Sequence, residues 1–336
     1  MEAGWVTPAW YIACASEELD ARPLGRTVLD TPIVLFRDSG GQAGALLDRC
    51  AHRNVPLSMG CVAQGGLECA YHGWRYDREG ACVAVPGLMG EAARPSRGVP
   101  SFAVREEDGW VWIFGRPGEK PASSPFRRPD LGPGYTVVRR TVEMEGPLRA
   151  VLENVLDVPH TAFLHRGLFR GNGERHRITV RLSRLPGGLQ AEYLGEPRPA
   201  GLAAKILSPS GGVVAHIDRF ILPSIAEVEY RLGTEAHFVS TSICTPIDAN
   251  RTRLQAVLTW KTRLPGWVVR PFLEPVATRI FEQDAAIVKA QALAVRRFGG
   301  ERYTSTAVDV LGLQLARLLE GAEPDPDWSR EIEMEV

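Results

Sequence analysis

Residues 116–134 carry three Pro/Gly-rich patches: Arg116-Pro117-Gly118, Pro121-Ala122-Ser123-Ser124-Pro125 and Gly132-Pro133-Gly134. Proline lacks a backbone N–H and fixes φ, so neither a regular helix nor a central strand can run through such a stretch. The chain must therefore fold on either side of it. The expected division is a domain over 1–118, a linker over 119–134 and a second domain over 135–336. A chain of 336 residues is long enough to bury a core in each half.

The two halves read differently. Before the linker, short apolar runs such as Pro32–Phe36 and Ala45–Leu47 flank Gly40-Gly41, the pattern of a hairpin. Asp108-Gly109 sets up a turn into Trp110-Val111-Trp112-Ile113-Phe114, an aromatic and β-branched strand. This half is expected to be all β. After the linker come a strand over 135–143, a helix over 148–156, and strands near 176–183, 189–194, 213–221, 225–231, 237–245 and 253–261. A helical block from about Val268 to Phe298 follows, then a second helix from Thr306 to Glu320. Its packed face would hold Val308, Leu311, Leu315, Leu318 and Leu319. The whole is an α+β arrangement, an antiparallel sheet gripping helices.

The chemistry concentrates in residues 154–165, Asn154-Val155-Leu156-Asp157-Val158-Pro159-His160-Thr161-Ala162-Phe163-Leu164-His165. Two imidazoles and a carboxylate within twelve residues suit a transition metal. Two His and one carboxylate with open positions suit non-haem Fe(II) that activates dioxygen. Asp157 and His160 stand i and i+3, on one helix face. His160 and His165 stand i and i+5, which an ideal helix points apart, and Pro159 disfavours a regular helix between them. The expectation is a helix through about 156, a distorted turn, and His165 near or past its end.

A second constellation lies in the β half. Cys50-Ala51-His52 and Cys69-Ala70-Tyr71-His72 are separated by 16 residues. Two thiolates and two imidazoles can hold tetrahedral zinc, or a [2Fe–2S] cluster in which two His replace two Cys on one iron. The spacings C-x-H and C-x2-H differ from those of common zinc modules. The flanking runs, Cys50 to Gly60 and Cys69 to Asp77, resemble the two cluster boxes of Rieske proteins. Val55 and Tyr71 stand where the respiratory kind has an extra Cys pair, so the boxes resemble the lower-potential oxygenase kind. Tyr71 is the hydroxyl donor expected near a cluster sulfur. Alanines 51 and 70 occupy positions where that family usually has proline.

A Rieske box followed by N-x2-D-x2-H-x4-H resembles the oxygenase α subunits of Rieske non-haem iron oxygenases, over nearly the whole chain. The resemblance implies an N-terminal Rieske [2Fe–2S] domain held by Cys50, His52, Cys69 and His72. It also implies a catalytic domain whose mononuclear Fe(II) is held by His160, His165 and an Asp from a late helix. Phe281–Gln291 fits that helix, with Asp284 as ligand and Glu282 as competitor. Asp157 would then bridge His160 to a cluster histidine, His72 of a neighbouring subunit, and Asn154 would face the iron one turn earlier. Dioxygen is the implied co-substrate. No G-x-G-x-x-G opens a helix after a strand, so NAD(P)H would act through a separate reductase or ferredoxin. That partner would dock on a basic edge around Arg53, Arg75 and Arg78.

The compact length resembles the homotrimeric vanillate and dicamba O-demethylase and pheophorbide oxygenase-like group. The implied reaction is hydroxylation or oxidative demethylation of an apolar aromatic or polycyclic small molecule. The runner-up is a ring-dihydroxylating dioxygenase, and a reading from another class is a Rieske electron carrier with a ligand-binding domain. Leu168, Phe169, Leu207, Phe220, Phe238 and Trp260 are candidate pocket walls. The remaining histidines, His176, His216 and His237, are expected to be structural or exposed.

Composition excludes several alternatives. With 39 basic and 40 acidic residues the net charge is -1, which gives no field for nucleic acid. No run approaches the roughly 18 apolar residues of a membrane span. The first residues, Met1 to Trp5, lack a basic region followed by an apolar core, so a cytoplasmic location is the default expectation. Six cysteines are too sparse for a disulfide framework.

Overall fold

The computed structural model describes residues 5–166, 176–197, 214–322 and 328–335. It separates into two compact units. One comprises Thr7–Arg127 with Thr245–Asp248, the other Met1–Val6, Arg128–Cys244 and Ala249–Val336.

The unit of residues 7–127 is all β among its described residues. Its strands are β1 (Trp10–Ala15), β2 (Leu24–Val28), β3 (Thr31–Arg37), β4 (Ala43–Leu47), β5 (Cys61–Ala63), β6 (Gly66–Glu68), β7 (Arg75–Tyr76), β8 (Cys82–Ala84), β9 (Ser101–Phe102), β10 (Val104–Glu107) and β11 (Trp110–Phe114). They form three sheets, ordered β1-β11-β10, β2-β3-β4-β9 and β5-β6-β7-β8. The turns follow from their residues. Asp108 and Gly109 adopt φ values of 54° and 76°. A type I′ hairpin needs such left-handed backbone at both central positions, which Asp and Gly tolerate. Every residue of β11 is buried. That explains its unbroken apolar run, because a strand covered on both faces has no polar alternate. Residues 245–248 join this unit through backbone bonds: the Leu29 and Asp30 N–H groups donate to the carbonyls of Pro246 and Ile247, each at 2.8 Å.

The other unit is built on one eight-stranded sheet, ordered β12-β18-β17-β16-β15-β14-β13-β19. The strands are β12 (Thr136–Met144), β13 (Arg177–Leu185), β14 (Gly188–Leu194), β15 (Val214–Ile221), β16 (Ile225–Leu232), β17 (Ala236–Asp248), β18 (Arg251–Lys261) and β19 (Arg330–Glu335). Among the described residues three helices accompany it: α1 (Leu148–Leu156), α2 (Gly266–Arg297) and α3 (Gly312–Leu319). Alternation along the strands turns Ile178, Val180, Leu182, Leu189, Ala191, Tyr193 and Phe220 to one face, and the helices pack there. Leu148, Val151, Leu152 and Leu156 of α1 are buried against that face. Their spacing of three and four residues makes one apolar stripe. The opposite side of α1 keeps the Arg149–Glu153 pair, 2.9 Å apart. From α2, Phe281, Ala285 and Val288 enter the same core, and α3 supplies Leu315, Leu318 and Leu319.

Three local expectations change. The last helix begins at Gly312, not Thr306, because Asp309 accepts the Thr306 N–H in a tight turn. Val308 accordingly leaves the packed face and is 39% exposed. The long helix begins two residues before Val268, at Gly266, and runs through Pro271 and Pro275. A C-terminal strand, β19, pairs with β13 and places Ile332 opposite Val180 and Met334 opposite Ile178. Among the described residues no helix is long and apolar enough to cross a membrane.

Leu152 is fully buried where α1 meets the sheet. Leu152→Ala is expected to cost about 2–5 kcal/mol, the range for a large-to-small core change. Urea unfolding monitored by circular dichroism measures it, and a loss below about 1 kcal/mol would contradict this packing.

Candidate metal centres

The end of α1 sets the first centre. Asp157 caps the helix with extended backbone, and Pro159 opens a 3-10 turn over Pro159–Ala162. This break removes the angular conflict of the H-x4-H spacing. His160 and His165 now face each other, Nε2 to Nε2, at 3.2 Å. Asp284 of α2 joins them, its Oδ1 lying 3.2 Å from His165 Nε2 and 3.6 Å from His160 Nε2. Glu282, the competing carboxylate, points to solvent.

The outer nitrogen of each ring has its own acceptor. His165 Nδ1–H donates to Gln283 Oε1 at 2.9 Å. His160 Nδ1–H donates to the backbone carbonyl of Asp157, while the Asp157 carboxylate stands 3.6 Å from the same nitrogen. With Nδ1 protonated on both rings, both Nε2 lone pairs point inward, beside a carboxylate oxygen. Three electron-rich atoms this close repel one another unless a cation sits among them. Three donors about 2.1 Å from one ion and at right angles stand about 3.0 Å apart, close to the observed spacings. The three residues therefore fit one metal ion. The same field acts on protons: burial opposes charge on His160, but hydrogen bonds and charges of Asp157 and Asp284 outweigh it and raise its pKa to about 9.

Asn154 lies within reach of this centre. Its Nδ2 donates to Asp284 Oδ1 at 3.4 Å, and its buried Oδ1 has no partner among the described residues. The Asp157 side chain is 39% exposed.

The second centre rests on two loops of like design. Cys50 N–H donates to Val55 O, and Asn54 N–H returns to Cys50 O. Cys69 N–H donates to Trp74 O, and Gly73 N–H returns to Cys69 O. Asn54 and Gly73 hold the equivalent position with φ of 62° and 69°, a conformation that favours these two residue types. The loops bury both thiols and bring the His52 and His72 rings to 4.6 Å between centroids. Trp74 stacks on His52 at 4.7 Å with planes 3° apart. His52 Nδ1 is buried without a partner among the described residues. A polar nitrogen is not left so without cost, and burial, His72 and Arg53 together lower its proton affinity. Two buried thiols and an unprotonated imidazole fit a group that takes two sulfur and two nitrogen ligands.

The structure corrects the sulfur donor. Tyr71 is 61% exposed and lies against the His72 ring. The hydroxyl that reaches a sulfur is Tyr76, fully buried, with Oη 3.3 Å from Cys50 Sγ. Burial and then Cys50 raise the Tyr76 pKa, so the phenol stays protonated and can donate. The basic edge is also largely engaged. Arg78 pairs with Asp38 at 2.8 Å, and Arg75 donates to Gln64 at 2.6 Å, which leaves Arg53 as its exposed member.

Among the other sequence candidates, Leu168, Phe169 and Leu207 lie outside the described residues. Phe220 joins the core under α1, and Phe238 and Trp260 pack with Val269 and Leu273 of α2. His176 is exposed. His237 contacts the Tyr135 hydroxyl at 2.6 Å and Glu229 at 3.0 Å. His216 is buried in a polar cluster. Gln283, Tyr76 and the surroundings of His216 were not anticipated from sequence. Gln283 carries no signal beyond standing next to Asp284.

Residues 9–102 match the Rieske [2Fe-2S] domain model, and residues 144–323, more than half of the chain, match the vanillate O-demethylase oxygenase C-terminal domain. The dicamba O-demethylase oxygenase component of Stenotrophomonas maltophilia is 41% identical over 167 residues, 48% of each chain. Chloroplastic chlorophyllide a oxygenase of Oryza sativa subsp. japonica is 31% identical over 292 residues, 84% of this chain and 51% of that one. The match thus spans about half the length of these curated relatives. The crystal structure of dicamba monooxygenase bound to 3,6 dichlorosalicylic acid superposes with a TM-score of 0.77 and 27% identity, over 94% of this chain and 96% of that one. With both of its metal-binding halves accounted for, the chain belongs to the Rieske non-haem iron oxygenases.

Proposed function

We propose that this chain is the oxygenase component of a multi-part monooxygenase that hydroxylates or oxidatively demethylates an apolar aromatic or polycyclic molecule. Electrons come from NAD(P)H through a separate reductase or ferredoxin. The observation that carries the reading is the convergence of His160, His165 and Asp284 on one point from two elements. When bound, a [2Fe–2S] cluster on Cys50, His52, Cys69 and His72 relays single electrons, and iron on His160, His165 and Asp284 activates dioxygen beside the substrate. Each turnover takes one dioxygen, two electrons and two protons, leaving one oxygen in product and one in water. Demethylation is favoured by the vanillate and dicamba O-demethylase matches. The six unpaired cysteines suit a reducing compartment such as the cytoplasm.

The chain's own residues prepare the site. Gln283 and the Asp157 carbonyl hold the Nδ1 protons, so both imidazoles offer Nε2. Such outer partners fix tautomer and ring orientation. Asn154 steadies the Asp284 carboxylate. The Asp157 carboxylate is left partly exposed, free to accept from a second imidazole. His72 is exposed too. A head-to-tail homotrimer would bring His72 of the partner subunit to Asp157, since heterologous interfaces close as rings.

Three outcomes test this. Asp284→Ala is expected to lose the mononuclear iron and product formation while keeping cluster absorbance; Glu282→Ala should keep both. Iron analysis with a panel of methoxylated aromatics and polycyclics under labelled dioxygen reads the result. Iron lost from Glu282→Ala and retained by Asp284→Ala would reverse the assignment.

Asp157→Ala should keep both metals, because the backbone carbonyl that holds His160 remains. It should slow cluster reoxidation by substrate and dioxygen more than the roughly 10–100-fold typical of outer-partner changes. A wild-type rate in rapid mixing would remove Asp157 from the electron path.

Tyr76→Phe should leave the cluster assembled and lower its potential on the order of 50 mV, the one-electron equivalent of a hydrogen bond of about 1 kcal/mol. Voltammetry reads it, and an unchanged potential would show that the phenol does not donate to Cys50.

A further inference from the structure

The first turns of α2 leave an apolar face uncovered. Trp267 is 78% exposed and Phe272 is 74% exposed, and Leu264, just before the helix, is 40% exposed. Pro265, Pro271 and Pro275 are exposed as well. At about 100° per residue, Trp267, Pro271, Pro275 and Phe272 follow one another round an arc of about 140°. Val269 and Leu273 turn the opposite way and pack with Val138, Phe238, Leu258 and Trp260 of the sheet. The helix is therefore held from one side and shows water two aromatic rings and two prolines on the other. An apolar patch of this kind on an otherwise polar surface marks an interaction site.

Positive charge borders the arc. Residues 261–279 carry Lys261, Arg263, Arg270 and Arg279 against one acidic residue, Glu274, while the whole chain has a net charge of -1. Glu274 is answered twice, by Arg270 at 3.1 Å and by Arg140 of β12 at 3.5 Å. Arg263 pairs with the buried Glu235. Lys261 Nζ donates to the Pro133 carbonyl at 3.2 Å and lies over the Tyr135 ring, with no carboxylate partner among the described residues. The charge decides the occupant. A second copy presenting the same face would set like charges opposite one another, which is unfavourable. An anionic bilayer answers both features. Its headgroups meet Lys and Arg, and its headgroup–acyl boundary takes Trp, Phe and Leu. Tryptophan favours that boundary because its ring is apolar and its N–H is not.

We infer that the N-terminal turns of α2 dock on the surface of an anionic membrane, with Trp267 and Phe272 entering the headgroup–acyl boundary and Lys261 and Arg270 meeting lipid phosphates. The attachment is peripheral, since among the described residues no helix is long and apolar enough to cross a bilayer. Asp284 sits further along the same helix, about 25 Å from Trp267 at 1.5 Å per residue. Docking by the first turns therefore leaves the metal centre clear of the lipid. An apolar aromatic or polycyclic substrate concentrates in bilayers, because leaving water is favourable for it, so docking brings the oxygenase to its substrate. That consequence alone rests on the function proposed above; the docking is a property of the face.

Co-sedimentation of the holoprotein with vesicles tests it, using phosphatidylcholine alone and phosphatidylcholine with about one-third phosphatidylglycerol. No substrate or reductant enters the assay, so failure of the oxygenase reading leaves this result intact. The protein should bind the anionic vesicles at least about tenfold more tightly than the neutral ones, since each basic residue near such a surface is worth about fivefold. Added salt should weaken the binding as the screening length shortens. Trp267→Glu combined with Phe272→Glu should lower binding about tenfold or more, while cluster absorbance and the mass in solution stay as in wild type. Lys261→Gln combined with Arg270→Gln is the second arm and should remove most of the preference for anionic over neutral vesicles. No binding to either vesicle, or equal binding by wild type and the Trp267/Phe272 variant, would overturn the docking. So would a Trp267/Phe272 variant whose mass in solution falls, which would make this face a contact between copies of the chain.

Discussion

The catalytic half of this molecule depends on where two protons sit. An imidazole binds a metal only through a nitrogen that has lost its proton, and the other nitrogen's hydrogen bond decides which one that is. Here the Asp157 carbonyl and the Gln283 amide oxygen each accept from an Nδ1, which directs both Nε2 atoms inward. The first acceptor is free because α1 stops at Leu156, and it stops there because Pro159 lies three residues on. The second is available because α2 runs unbroken past Gln283 and Asp284 while burying Phe281, Ala285 and Val288. Helix termination, core packing and proton placement are therefore one constraint.

The cluster-bearing half solves its problem by repetition. Two loops with the same pair of backbone hydrogen bonds present Cys50 with His52 and Cys69 with His72. Asn54 and Gly73 occupy the matching left-handed position. Since the hydrogen-bond frame is the same in each loop, the difference between C-x-H and C-x2-H is absorbed within the loop and not by the strands around it. Trp74 and Tyr76 then tune the two ends of the ligand set, one stacked on His52 and the other against Cys50.

Much of this was legible in the chain. The ligand candidates show themselves by residue type and spacing, and the strand–turn pattern of the first half by Asp108-Gly109 and the apolar run of β11. What escaped was contact made across distant sequence. Tyr71 and Tyr76 both lie in the second cluster box, and only the pleat of β7, with Arg75 outward and Tyr76 inward, selects the right one. His216 reads from sequence only as structural or exposed, since its partners come from the two neighbouring strands, Tyr193 and Glu196 from β14 and its end and Tyr230 from β16. The strand β19 did leave a trace: Arg330-Glu331-Ile332-Glu333-Met334-Glu335 alternates polar and apolar residues, but too briefly to stand out beside the helices before it.

That last strand matters for how the molecule is handled. β19 lies at the edge of the eight-stranded sheet and covers β13 along Arg177–Leu182. A bare β13 would present unpaired N–H and C=O groups in a row that includes Ile178, Val180 and Leu182, a ready template for another chain. Glu331 and Glu333 of β19 lie 3.7 and 3.4 Å from Arg181 and Arg177 of β13, so ion pairs as well as backbone bonds tie the two strands together. β19 thus keeps the backbone of β13 paired, and losing it would leave that strand's N–H and C=O groups open to another chain.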